Sequence, residues 1–145
     1  MRVCEGRVSS NFGYRTHPVT GRMSFHNGVD IACPIGTPVY APCNGVVTQI
    51  YTHDTGGKTI ILRDYHTGER YGFCHLSEFM VKQGEAVVKS SLIALSGNTG
   101  LGTGAHLHFS YGAGGTWIQN ICYRFMYEDP TDKIEFEDIK LRETL

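Results

Sequence analysis

The sequence predicts a mainly β protein built as an antiparallel sheet or small barrel. Three observations carry this. Short β-branched and apolar runs recur along the chain, as at residues 46–51 (Val-Val-Thr-Gln-Ile-Tyr) and 59–63 (Thr-Ile-Ile-Leu-Arg). Turn residues separate these runs at short intervals. Glycine is abundant, at 18 of 145 residues, whereas proline contributes only 5.

Taken in order, residues 1–27 read as loop and turn, with a short apolar start at Val8. Asn11, Gly13, Pro18 and Gly21 supply the turn chemistry there. Strands are expected at 28–32, then at 38–41 after a turn at Gly36, and at 46–51. Thr55-Gly56-Gly57 turns the chain into 59–63, and His66-Thr67-Gly68 turns it into 70–75. Residues 92–95 and 106–109 complete the series. Runs of this length suit strands. The segment from Leu76 to Lys82 reads as a short helical turn before Gly84. One domain over residues 1–127 is expected, without linker or low-complexity tract. Residues 128–145 mix acidic and basic side chains with Ile134, Phe136, Ile139 and Leu141. They are expected to form an extension that packs an apolar edge on the domain or trails from it.

The formal net charge is −1, which argues against a partner chosen by bulk charge, such as nucleic acid. No apolar run reaches the ~20 residues of a membrane-spanning helix. The first residues lack an apolar h-region, so no signal peptide is visible. The five cysteines (Cys4, Cys33, Cys43, Cys74 and Cys122) contain no CxxC spacing, which argues against a cysteine-only metal site. They are expected to be reduced thiols packed as small apolar groups. One disulfide formed after export is the alternative, with the pair left open.

Chemistry concentrates in the histidines. Asn-Gly between His26 and Asp30 is poor helix material, so His26 is expected at a loop end and Asp30 on the following strand. His106-Leu107-His108 on a strand would put both imidazoles on one face, about 7 Å apart, with Leu107 toward the core. His75 ends another expected strand and could reach the same pocket. Imidazole and carboxylate are the usual ligands of a catalytic zinc, which needs three of them and an open position for water. Two histidines and one aspartate would suffice, leaving the others for proton transfer or oxyanion stabilisation. Spacing alone does not say which histidine of the pair at 106 and 108 is the ligand. No HExxH helix and no GxSxG elbow is present. A thiol nucleophile at Cys74 beside His75 is disfavoured, because adjacent strand residues point to opposite faces. His17, His53 and His66 lie in polar turns and read as solvated, with His17 the nearest to lining a cleft.

These stretches together resemble the lysostaphin/LytM-type zinc metallopeptidases of bacterial cell walls. The resemblance runs from about Gly6 to Tyr111 and rests on several ordered motifs. These are residues 6–15 (GRVSSNFGYR), 26–32 (HNGVDIA), 36–41 (GTPVYA), 74–77 (CHLS), 96–100 (SGNTG) and 103–109 (TGAHLHF). The resemblance implies a compact antiparallel sheet with a groove walled by loops. It implies that His26, Asp30 and His108 bind one zinc ion and that His75 and His106 are catalytic. Arg15, Asn98 and Thr103 are expected on the substrate, and the Gly97–Gly104 stretch either walls the groove or simply makes a tight connection. The implied substrates are cross-bridge or stem peptides of peptidoglycan, cleaved in the periplasm or wall. A monomer is expected, delivered by phage lysis, a virion, a secretion apparatus or a removed leader, with a cognate immunity or delivery protein in the case of a toxin. The groove is expected to stand open rather than plugged by residues 128–145. A non-catalytic regulator or wall-binding module is the competing reading; it is disfavoured because all five site residues are present. The chain departs from the family pattern at Phe73, where a tyrosine two before the histidine is common, at Gly102-Thr103-Gly104-Ala105, and at Ser110, where an acid is common.

Overall fold

The computed structural model describes residues 3–16, 20–101, 104–113, 117–118, 121–122, 126–128 and 130. Every regular element among them is a strand. The elements are β1 (Arg7–Ser10), β2 (Gly13–Thr16), β3 (Met23–His26), β4 (Gly28–Ala32), β5 (Pro38–Tyr40), β6 (Gly45–His53) and β7 (Gly57–Asp64). They continue with β8 (Arg70–Phe79), β9 (Ala86–Val87), β10 (Leu92–Ser96), β11 (His106–Ala113), β12 (Trp117–Ile118), β13 (Ile121–Cys122) and β14 (Met126–Glu128). The main sheet runs β1-β4-β11-β8-β7-β6-β9, with β14 against β11 and a β5-β10 pair joined to β8. All its pairings are antiparallel. The expected mainly β antiparallel architecture is therefore the one observed.

Period-two alternation explains how the sheet separates core from site. In β4, Val29 and Ile31 are buried, while Asp30 between them faces the other side. In β11, Leu107 and Phe109 are fully buried, and His106 and His108 take the opposite face. Phe73, Ile60, Leu62, Ile93 and Val39 complete this core, and Phe109 packs against Phe73 and Tyr71 at 5.3 and 5.9 Å between ring centres. Full burial of such side chains stabilises by about 1.5–3 kcal/mol each. The sheet that carries the site is thus anchored by the buried layer on its other face.

Two expectations about local structure are corrected. Residues 7–26 were expected to be loop and turn but contain three strands. β2 and β3 form a separate hairpin, from Gly13 opposite His26 to Thr16 opposite Met23. Its apolar side chains are outside: Tyr14, Met23 and Phe25 are exposed, with Phe25 in ring contact with Phe12 and Tyr14. Pairing rather than burial makes these residues strands. Residues 76–79 were expected to be helical but extend β8, because Leu76 is fully buried and the segment pairs with β10. The expected domain end at residue 127 falls inside β14, which pairs with β11. Residues 131–145, and with them the question of a plugged groove, lie outside the described residues.

Candidate metal centre and cleft

Three neighbouring strands set the floor of the site. His108 in β11 lies directly opposite Asp30 in β4 on one side and opposite Cys74 in β8 on the other. Directly opposed residues of an antiparallel pair share a face, so Asp30, His108 and Cys74 form one row. His26 ends β3, with only Asn27 between it and the start of β4, which brings it over the same spot. Gly28 permits this: a Cβ there would meet the Phe109 carbonyl oxygen at 2.3 Å and the His108 ring at 3.0 Å.

His75 reaches the site by a different device. Strict alternation would send it into the core beside Phe73. Instead the register between β7 and β8 shifts between Lys58 and Ile60, opposite residues 74 and 75. His75 itself has a left-handed backbone, with φ of 61°. This is a β-bulge, in which one extra residue re-aims a side chain. Cys74 and His75 therefore both line the cleft, and Leu76 returns to the core. The expectation that they point to opposite faces is overturned. The thiol nucleophile remains disfavoured for another reason: burial pushes the Cys74 thiol up, against a weaker opposing hydrogen bond with Thr59.

The inward atoms of His26, Asp30 and His108 are closely matched. His108 Nδ1 lies 2.8 Å from Asp30 Oδ1, His26 Nε2 lies 3.2 Å from the same oxygen, and the two ring nitrogens are 3.2 Å apart. A tetrahedral site with bonds of about 2.0 Å has edges of about 3.3 Å, close to these separations. The outward nitrogens fix the tautomers. His26 Nδ1–H donates to the Asn11 carbonyl at 2.9 Å, and His108 Nε2–H donates to the Asn27 side-chain oxygen at 2.8 Å. In the neutral rings, both inward nitrogens are then lone pairs aimed at each other and at a carboxylate. Such an arrangement repels unless a proton or a metal cation joins it. The donor set therefore fits a divalent metal, and the outward contacts to Asn11 and Asn27 are of the kind that orient metal-binding histidines. Burial opposes charge on Asp30, but hydrogen bonds from His108 and His26 outweigh it and hold the carboxyl well below its usual range. Burial likewise opposes charge on His26, yet Asp30 and the Asn11 carbonyl raise its pKa overall.

His75 and His106 stand beside this set, with ring centres 4.7 Å apart. His75 Nδ1–H donates to the Thr99 carbonyl and His106 Nδ1–H to the Gly104 carbonyl, each at 2.7 Å. Both rings therefore keep Nε2 as an unprotonated nitrogen, and His106 Nε2 lies 3.7 Å from Asp30 Oδ1. Burial lowers the pKa of His75 below the usual histidine value, which keeps it neutral near pH 7. Thr99 is itself braced: its hydroxyl donates to the Leu76 carbonyl at 2.6 Å and accepts the Lys58 N–H at 3.0 Å. Gly100 allows this loop to lie on the 55–57 turn, since a Cβ there would come within 2.4 Å of Gly57 N. The glycine stretch thus makes a tight connection that also holds His75.

The cleft has a volume of about 520 Å³, within the usual range for ligand sites. Arg15, Tyr51, His53, Thr55 and Leu101 line it around the five site residues. Arg15, expected on the substrate, lies at the cleft wall and donates to Ser10 Oγ. Asn98 does not line the cleft; it is exposed, and its side-chain oxygen accepts the Gly104 N–H at 3.4 Å. Thr103 and His17 lie outside the described residues. His53, expected in a solvated turn, ends β6 and lines the cleft, while its Nδ1 accepts the Thr55 N–H at 3.1 Å. The partners Asn27 and Thr99 were also missed; Asn27 stands next to His26, which was the available clue.

Comparison with known proteins agrees with this geometry. The model of peptidase family M23 matches residues 24–120. The peptidoglycan DD-endopeptidase ShyA of Vibrio cholerae is 46% identical over 104 residues, 71% of this chain and 24% of that protein. A solved zinc-containing peptidase from Vibrio cholerae superposes with a TM-score of 0.68 at 39% identity, covering 73% of this chain and 33% of the other. The catalytic domain of the antimicrobial peptidase lysostaphin from Staphylococcus simulans superposes with a TM-score of 0.73 at 28% identity, covering 90% and 92% of the two chains. The chain spans about a quarter of the length of the curated relatives it matches, 24% for ShyA.

Proposed function

This chain belongs to peptidase family M23, and from that premise we propose that it is a zinc-dependent endopeptidase that hydrolyses the cross-link or stem peptides of bacterial peptidoglycan. The observation that carries the reading is the convergence of three lone-pair donors, on His26, Asp30 and His108, beside two histidines whose Nε2 atoms are free to exchange protons. The substrate class is supported by the resemblance to ShyA, named a peptidoglycan DD-endopeptidase. Its site of action would then be the periplasm or the wall.

When bound, zinc supplies Lewis acidity, which makes water a nucleophile near neutral pH and withdraws charge from a carbonyl. The protein's own groups do the rest. Asp30, His26 and His108 hold the ion, and Asn27 and Asn11 fix the two imidazoles in the ligating tautomer. His106 Nε2, 3.7 Å from Asp30 Oδ1, would accept a proton from the attacking water. The proton that His106 takes can pass on to the leaving amine, and His75 Nε2, across the 4.7 Å ring contact, would donate to the carbonyl oxygen, as charge grows there, in its protonated form. Its lowered pKa makes the protonated form a willing donor. Arg15 at the cleft wall would pair with a substrate carboxylate.

The test is digestion of purified peptidoglycan by zinc-loaded protein, with muropeptides resolved by mass. New amino termini that disappear with a chelator and in His108→Ala are expected. Release of nothing from several wall types would move a non-catalytic wall-binding role to the front.

A further inference from the structure

We propose that Cys4 and Cys33 form a disulfide that ties the segment before β1 to the end of β4, the strand that carries Asp30. Their sulfurs are 3.6 Å apart, and both side chains are buried, at 2% and 6% exposure. Each backbone is already held in place. Cys4 forms a bridge with Val39, and the Tyr40 N–H donates to the Val3 carbonyl at 2.8 Å. Cys33 directly follows β4, and its N–H donates to the Ala105 carbonyl at 3.4 Å. Bond formation needs the sulfurs to close by about 1.5 Å, to the disulfide length of about 2.05 Å. Cys43 and Cys74 have other neighbours, Asp64 and Thr59.

The step is a two-electron exchange with a small-molecule disulfide of the glutathione class. The Cys33 thiolate attacks one sulfur of the external disulfide, whose S–S bond breaks and releases one thiolate. Cys4 gives up its proton, attacks the Cys33 sulfur and expels the second thiolate. Two protein thiols are oxidised, one external disulfide is reduced, and the two protons end on the released thiols. The hydrogen bond from Cys4 pulls the Cys33 thiol below its usual value, so Cys33 is the attacking partner. Because both sulfurs are buried, exchange proceeds when the segment around Cys4 opens.

The closed loop spans 29 positions and contains β1, the β2–β3 hairpin, Arg15, His26 and Asp30. Oxidation would therefore restrain the chain that carries two of the three metal-binding side chains. Oxidising compartments favour such a bond and the cytosol disfavours it. The inference rests on the sulfur geometry and not on the wall-hydrolase reading.

The test uses the full chain, purified reduced and then equilibrated in an equal mixture of reduced and oxidised glutathione. Free thiols are alkylated in denaturant, and a non-reducing peptide map is read by mass. The expected result is a Cys4–Cys33 linked peptide two hydrogens lighter, with the other cysteines alkylated. The oxidised form should melt about 10 °C above the reduced form, a difference absent in Cys4→Ala. Alkylation of all five thiols after prolonged equilibration would overturn the proposal, as would a link in which Cys43, Cys74 or Cys122 replaces either partner. The wild-type map decides even if the variant fails to fold. Hydrolysis is not read, so an inactive preparation leaves the outcome intact.

Discussion

Gly28→Ala should disable the metal centre without touching a ligand. The new Cβ would sit 2.3 Å from the Phe109 carbonyl oxygen, against a usual carbon–oxygen approach of about 3.3 Å, so β4 and β11 must part locally by about 1 Å. The clash is with backbone and cannot be relieved by a rotamer change. The same Cβ would stand 3.0 Å from His108 Cε1 and Nε2, on the side where Nε2–H meets Asn27. Opening at the Gly28–Ser110 pair reaches the Asp30–His108 pair two positions along the same face. Overpacking of this kind costs about 1–3 kcal/mol, or a fall in Tm of roughly 2–12 °C. Loss of a supporting contact to a metal-binding histidine lowers affinity by about 10–100-fold. Competition with a chromophoric chelator measures the affinity, and thermal melts measure the stability. Gly84→Ala is the control: its φ of 88° makes it strained, but a Cβ there meets nothing within 4 Å. It should lower Tm and leave metal affinity unchanged. Gly28→Ala binding zinc within twofold of wild type would refute the reasoning.

Other perturbations separate the roles of the remaining groups. His75→Ala and His106→Ala should each lower kcat on wall peptides by about 10²–10⁴-fold, read as the rate of new amino termini; an unchanged rate for either removes it from the chemistry. Cys74→Ala should keep hydrolysis within a few-fold of wild type, because desolvation of the half-buried thiol keeps it protonated; loss of activity with metal retained would reopen the thiol mechanism. Metal-free protein should show an inverted pH response. His26 has a raised folded pKa, so its contribution is full below 6.5 and lost as pH rises through that raised value. Asp30 has a depressed folded pKa, so its contribution is present above 3.8 and lost as pH falls through the depressed value. Melts of chelated protein should therefore be highest between about pH 4 and 6.5 and fall toward pH 8, a fall that Asp30→Asn removes; zinc-loaded protein should gain stability over the same rise, as protons cease to compete.

The site was legible where it obeys strand periodicity. Leu107 between two histidines, and Asp30 between Val29 and Ile31, already separate a core face from a site face, and the structure pairs those strands in that sense. It was less legible where a local exception decides. The bulge that turns His75 toward the cleft depends on a register shift against β7 and a positive φ, neither of which a histidine at a strand end announces. The β2–β3 hairpin escaped because its apolar residues face outward, so no buried face marks it as strand. Residues 76–79 escaped because pairing with β10 overrides their local preference. His53 looked like part of a polar turn, and only the length of β6 carries it to the cleft. The resemblance of the motifs, rather than spacing, separated His108 from His106; in the structure that difference is a 2.8 Å against a 3.7 Å approach to Asp30.

The most direct test of the account is the zinc content of purified variants, counted by native mass spectrometry after reconstitution and desalting. The account predicts one zinc per chain in wild type, His75→Ala and His106→Ala. It predicts loss of that ion in His26→Ala, Asp30→Ala and His108→Ala. Retention of zinc when Asp30 or His108 is removed, or its loss when His75 alone is removed, would contradict the division between metal-binding and proton-handling residues.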